Sequence, residues 1–246
     1  MNPLTKAIKG LYAVTPDTDD TVTLLRMTRA AFNGGARVLQ YRNKTATSAL
    51  RRTQARALLQ LCNESSAILI INDHVELAAE IGAHGAHIGG EDGSLADARA
   101  LLGEAKLIGV SCYRELTLAK AAVDGGADYI AFGSFYASQV KPGAVRAPLS
   151  LLSSARAFGV PVVAIGGITP ENAGALITAG ADAVAVISAQ SAPSVWQVPQ
   201  ICPRKTCRSI ASGSSEPMIA ANSPSTSARS RITMAAMIAS FDGKYR

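Results

Sequence analysis

GGARVLQ (34–40), GAHGAHIGG (82–90), GGADYIAFG (125–133) and GADAVAVIS (180–188) are four variants of one phrase: a helix-ending glycine, a small residue and then a strand. Glycine suits the end of a helix because it takes the left-handed conformation that closes the last turn. The aliphatic runs that follow are of strand length. They predict strands over Val38–Tyr41, His87–Gly89, Tyr129–Gly133 and Ala183–Ile187. Similar runs predict four more over Leu11–Thr15, Ala67–Ile71, Leu107–Ser111 and Val160–Ile165. Amphipathic segments lie between them, among them Thr21–Asn33, Ser48–Asn63, Ser94–Leu102, Leu116–Asp124, Leu149–Phe158 and Pro170–Ala179. Asp20 ahead of Thr21, and Thr169 ahead of Pro170, are helix-start signals. Strand alternating with helix implies a parallel sheet joined by right-handed crossovers, and eight such units favour an α/β fold of the (β/α)8 TIM-barrel kind. No G-x-G-x-x-G follows the first strand, which counts against an open dinucleotide-binding sheet.

At 246 residues the chain can bury a large core. Hydrophobic residues make up 48% but aromatics only 5%, so that core must be built of Ala, Val, Ile and Leu, as in sheets buried on both faces. No apolar run reaches the roughly 18 residues of a membrane span. The opening MNPLTKAIKG has lysines without an apolar stretch behind them, so no signal peptide is expected and the expected location is cytoplasmic. Cys62, Cys112, Cys202 and Cys207 form no CxxC pair and read as free thiols. Residues 1–189 carry 17 Lys and Arg against 16 Asp and Glu, whereas residues 190–246 carry 7 against 2. The basic excess therefore sits in the last segment and gives no reason to expect nucleic acid as the barrel's ligand.

The domain organisation divides at the same place. Residues 1–189 read as the catalytic barrel. Residues 190–246 are rich in Ser, Pro and Arg, with no sustained period, where an eighth helix should follow. A disordered tail and a segment that has lost its coding frame both fit such a composition.

In a barrel the chemistry collects at the C-terminal ends of the strands. Those ends carry Gln40, Arg42 and Lys44 after the second strand, and Asn72 and Asp73 after the third. Asp92 follows the fourth, Ser111 ends the fifth, Ser138 and Lys141 follow the sixth, Gly166-Gly167 the seventh, and Ile187-Ser188 the eighth. Singly these are caps, solvated cations or turns. His87 reads as a packed core histidine, and His84 with His87 lacks the further ligands of a zinc site. As a set they are more specific. Asp73 and Asp92 on adjacent strand ends suit Mg²⁺, which takes one or two carboxylates and completes its shell with water and phosphate oxygens. Arg42, Lys44 and Lys141 offset the charge of a diphosphate. Gly-Gly after the seventh strand and Ile187-Ser188 after the eighth suit a phosphate held by backbone N–H groups. Two phosphate sites imply a pair of small-molecule substrates, a diphosphate donor and a phosphorylated acceptor. Neither a membrane nor nucleic acid is expected as partner, and a homo-oligomer stays open.

LYAVTP (11–16), QYRNK (40–44), INDHVELA (71–78), HIGGED (87–92), GVSC (109–112), SQVK (138–141), IGGIT (165–169) and AVIS (185–188) resemble thiamine-phosphate synthases in order and spacing across residues 11–189. That family joins 4-amino-2-methyl-5-(diphosphooxymethyl)pyrimidine to a thiazole phosphate and releases pyrophosphate. The resemblance implies that Gln40, Arg42, Lys44, Asn72, Ser111 and Lys141 hold the pyrimidine diphosphate. It assigns Mg²⁺ to Asp73 and Asp92, and the thiazole phosphate to Ser138, Gln139, Val140, Gly167, Ile187 and Ser188. No residue is implied as nucleophile or acid–base catalyst, because a dissociative displacement needs charge stabilisation and positioning. The sequence departs from the family at Gly133-Ser134 in place of Gly-Pro, at Gly90 in place of a glutamine, and at Val140, where a hydroxyl is lost. The departures fall mainly on the acceptor side. Two alternatives remain: a related thiazole tautomerase, disfavoured by the diphosphate residues, and an inactive ligand-binding remnant without its closing helix.

Overall fold

A computed structural model describes residues 2–90, 92–137 and 146–187. The elements run β1 (Gly10–Val14), α1 (Thr21–Asn33), β2 (Val38–Tyr41), α2 (Ser48–Glu64), β3 (Ile68–Asn72), α3 (Val75–Ile81), β4 (Gly85–Ile88) and α4 (Leu95–Leu102). They continue with β5 (Leu107–Tyr113), α5 (Leu116–Asp124), β6 (Tyr129–Phe132), α6 (Ser150–Ala155), β7 (Val162–Ile165), α7 (Pro170–Ala179) and β8 (Ala183–Val186). The eight strands close into a parallel barrel in sequence order, with β8 paired to β1 through Leu11 and Val184. Asp20 caps α1, its Oδ1 accepting from the N–H groups of Val22 and Thr23. Among the described residues no helix is long and apolar enough to cross a membrane.

Most strands keep their expected bounds to within two residues, and two differences have a local cause. The fourth strand begins at Gly85 rather than His87, because a Cβ at position 85 would overlap the Leu107 carbonyl and only glycine lets β5 come that close. Helix α3 is only seven residues long and has no side-chain cap, so it leaves little pattern to read.

The barrel's inside is a second core within the ring of helices. Ile8, Tyr12, Val14, Val38, Ile68, Ile70, Leu107, Tyr129, Ala131, Val163, Ala183 and Ala185 meet there, with Leu4 and Ala7 of a short 3-10 turn (Pro3–Ala7) packed against them. The two tyrosines fit because Gly109, in register with Tyr129, has no side chain; a Cβ there would overlap the Tyr129 ring. Alternation along the strands places Gln40, Asn72 and Ser111 on the same inner side as these residues.

The four repeated phrases lead into β2, β4, β6 and β8, so the repeat is a pair of strands. In three of them the polar residue ahead of the strand exchanges two hydrogen bonds with the preceding strand. His84 N–H donates to the Leu69 carbonyl and His84 Nδ1 accepts from Leu69 N–H at 3.1 Å. Asp128 does the same with Ile108, and Asp182 with Val162, each carboxylate accepting at 2.8 Å. Arg37 has no acceptor to offer. Its guanidinium donates instead to the Phe32 carbonyl in the last turn of α1 and to the Ala36 carbonyl just after it.

Candidate functional site

The loop after β2 is braced before it carries any chemistry. Thr15 Oγ1 donates to the Arg42 carbonyl at 2.7 Å and accepts from Arg42 N–H at 2.8 Å, extending the β1–β2 ladder beyond the strands. Asp17 Oδ1 accepts from Arg42 Nη1 at 3.0 Å and from Lys44 N–H at 2.9 Å. Buried Asn43 donates to the Thr18 carbonyl and to Gln54 Oε1, and Tyr41 Oη also donates to Gln54. Arg42 and Lys44 are thus held at the C-terminal end of the barrel by residues between and around them. Asp17, Asn43 and Gln54 were not among the expected functional residues. Asn43, set between two cations in QYRNK, was the one with a visible signal.

The acidic pair stands beside this loop. Asp73 follows β3 with φ +62, a left-handed conformation uncommon for a residue with a side chain, and its N–H donates to the His87 carbonyl at 2.9 Å. Lys44 Nζ lies 3.5 Å from Asp73 Oδ2. Asp92 Oδ2 accepts from Gly89 N–H at 2.7 Å, which ties the carboxylate to the end of β4. Burial pushes the Asp73 carboxyl above the ordinary carboxylate range, and the adjacent Asp92 carboxylate adds to that while Lys44 opposes it. Two oxygen-donor side chains therefore face each other with one cation between the loops. Among the described residues no group of three or more His, Cys, Asp or Glu could hold a metal. A cleft at this corner is lined by Lys44, Asn72, Asp73, His74, Tyr41, Asn43 and Arg51.

Inside the barrel mouth, Gln40 is buried and donates from Nε2 to Tyr12 Oη at 3.0 Å. Ser111, half-buried, lies 2.8 Å from His87 Nε2. His87 is 6% exposed, and burial pushes its ring down to about 4, so it is neutral near pH 7. His84, just ahead of β4, turns its ring to the β3 backbone while His87 of β4 faces the inside, which removes them as a joint metal site. Asn72 shares its register position with His87.

On the far side, Gly167 has φ +62 and lies so close to the chain after β6 that a Cβ would overlap the Ala137 carbonyl. Asn172 of α7 fixes this turn, donating to the Gly167 carbonyl at 3.0 Å and accepting from Thr169 N–H at 2.9 Å. Ile187 follows β8 and packs on the inner core. The structure thus brings Gln40, Arg42, Lys44, Asn72, Asp73, Asp92 and Ser111 to one end of the barrel, with Gly167 and Ile187 at the ends of neighbouring strands. Ser138, Gln139, Val140, Lys141, Ser188 and the segment 190–246 lie outside the described residues. Cys62 and Cys112 are buried free thiols, while Cys202 and Cys207 lie outside as well.

The sequence matches the family described as thiamine monophosphate synthase over residues 11–190. A thiamine-phosphate synthase of Methylobacillus flagellatus is 53% identical over 182 residues, 74% of this chain and 87% of the relative. One from Azoarcus sp. is 54% identical over 182 residues, 74% of this chain and 88% of the relative. Among solved structures, thiamine phosphate pyrophosphorylase from Pyrococcus furiosus superposes with a TM-score of 0.69 at 31% identity, covering 79% of this chain and 96% of its own. The chain belongs to the thiamine monophosphate synthase family and is an enzyme of the transferase class.

Proposed function

We propose that the enzyme condenses 4-amino-2-methyl-5-(diphosphooxymethyl)pyrimidine with a thiazole phosphate to give thiamine phosphate and pyrophosphate. The observation that carries this reading is the single strand-end cluster in which Arg42 and Lys44 stand beside the Asp73–Asp92 pair, with Gln40 and Ser111 opening from the barrel core next to it. Cations beside carboxylates are poorly explained by a monophosphate alone. They suit a diphosphate that arrives with a divalent ion.

The residues present fit Mg²⁺. The mutual charge of Asp73 and Asp92 is a strain that a cation relieves, and two carboxylates are a usual protein share of its shell. When bound there, the ion would neutralise charge on the departing pyrophosphate. Arg42 and Lys44 would bind the remaining phosphate oxygens, Arg42 in an orientation that Asp17 already sets. Gln40 and Ser111 would hold the pyrimidine ring, whose amino group stabilises the methylene cation left when the C–O bond to pyrophosphate breaks. The thiazole nitrogen then forms the new C–N bond, with its phosphate on the Gly167 and Ile187 side. No protein group needs to take or give a proton at the reacting carbon.

The test is to incubate the purified full chain with both phosphorylated precursors, with and without Mg²⁺. Mg²⁺-dependent formation of thiamine phosphate and pyrophosphate is expected. A folded protein that makes neither overturns the proposal.

A further inference from the structure

Gln40 and Ser111 sit on β2 and β5, yet they are the two ends of one hydrogen-bonded chain through the barrel core. Gln40 Nε2 donates to Tyr12 Oη at 3.0 Å. Tyr12 Oη lies 2.9 Å from Tyr129 Oη, Tyr129 Oη lies 3.1 Å from His87 Nδ1, and His87 Nε2 lies 2.8 Å from Ser111 Oγ. Tyr12, Tyr129 and His87 are each at most 6% exposed, and the two tyrosine rings meet edge to face. Polar groups so buried have to find partners in one another.

Counting hydrogens sets the direction. Tyr12 Oη already receives a hydrogen from Gln40. If it also received one from Tyr129, its own hydrogen would be left without an acceptor in the interior. Tyr12 therefore donates to Tyr129, and Tyr129 donates to His87 Nδ1. Neutral His87 then carries its hydrogen on Nε2 and donates it to Ser111 Oγ. Ser111 is left with its own O–H to give at the mouth, and Gln40 with a carbonyl oxygen that no described residue donates to.

We propose that Tyr12, Tyr129 and His87 are positioning residues that fix the hydrogen-bond polarity of the donor site, making Gln40 an acceptor and Ser111 a hydroxyl donor. An acceptor and a hydroxyl donor at one mouth complement an aminopyrimidine, which carries both an exocyclic amino group and ring nitrogens. That last step rests on the reading of the site proposed above; the polarity itself does not.

The test has two arms. The chain has three histidines, so nitrogen-15 NMR of the histidine-labelled full-length protein, assigned with His87→Gln, reads the tautomer directly. Hydrogen on Nε2 of His87 is expected, and hydrogen on Nδ1 reverses the chain and overturns the proposal. In Tyr129→Phe the tautomer preference should relax. Its KM for the pyrimidine diphosphate should rise about tenfold, the worth of one buried hydrogen bond, with the KM for the thiazole phosphate within about twofold. Tyr12→Phe should shift the same KM in the same direction. A KM that does not move, or both KM values rising together, overturns the positioning role. If the protein turns over neither precursor, the proposed function fails while the tautomer measurement still decides the polarity.

Discussion

The buried imidazole of His87 makes the fold sensitive to acid, by an amount that the structure sets. Burial pushes its pKa down to about 4 from an ordinary value of 6.5, with the Asp92 carboxylate pulling weakly the other way. The unfolded chain takes up a proton as pH falls through 6.5, and the folded chain refuses it until about pH 4. Between those values the unfolded state binds more protons, so stability rises with pH and is lost as pH falls. The gap from 6.5 down to about 4, at about 1.4 kcal/mol per pH unit, comes to about 3 kcal/mol in full. About 2 kcal/mol of that falls between pH 7 and pH 5. The check is urea unfolding of the wild type and of His87→Gln in metal-free buffer at both pH values. His74 and His84 are also pushed down by burial, but they stay in both proteins and cancel in the comparison. The wild type should lose about 2 kcal/mol more than the variant on going to pH 5. Equal losses would refute the account, since His87 would then be hydrated or charged inside the barrel.

Three further outcomes are expected. Gly109→Ala puts a Cβ into the Tyr129 ring and should cost about 1–3 kcal/mol by overpacking; an unchanged melting temperature would mean the ring has room to move. Asp182→Ala leaves the Val162 N–H without its carboxylate acceptor and should cost about 1–3 kcal/mol, with Asp182→Asn recovering most of it. Faster hydrogen exchange at Val162 in the alanine variant alone is the matching signature. Asp92→Asn removes a charge from the proposed Mg²⁺ site and should raise the Mg²⁺ needed for half-maximal activity by at least about tenfold; unchanged metal dependence would take Asp92 out of the site.

Eight strands were readable because parallel strands buried on both faces are plain aliphatic runs and their helices stop at glycine. Where that signal is thin the reading slipped: Gly85-Ala86 has no β-branched residue to announce the start of β4, and α3 has barely two turns. The site was readable for a different reason. Gln40, Arg42, Asp73 and Asp92 are polar residues at the ends of apolar runs, and such a position in a barrel opens on the mouth. What holds them was not. Tyr12 and Tyr129 sit in aliphatic strands and look like core filling, and their hydroxyls gain meaning only when closure brings those two oxygens within 2.9 Å of each other across the interior. Asp17 was one acid among Asp19 and Asp20, indistinguishable until β1 and β2 pair and aim it at Arg42.

The repeated phrases also explain why this fold carries its stability and its chemistry at opposite ends. Three of the four pin their strand at the N-terminal end, where His84, Asp128 or Asp182 exchanges two bonds with the strand before. Three residues on from His84, His87 faces the inside, because an odd step along a strand crosses the sheet. In the first phrase the same step leads from Arg37, bonded to the end of α1, to Gln40 at the mouth. The outward polar residue therefore fixes the register that delivers the inward one. A slip of one residue would turn Gln40 and His87 out toward the helices and bring Leu39 and Ile88 into the polar chain. Substitutions at Asp128 and Asp182 should then act on melting temperature and leave the KM values alone, while those at Tyr12 and Tyr129 should also move the KM for the pyrimidine diphosphate. A variant of Asp182 that shifted KM without shifting stability would break that division.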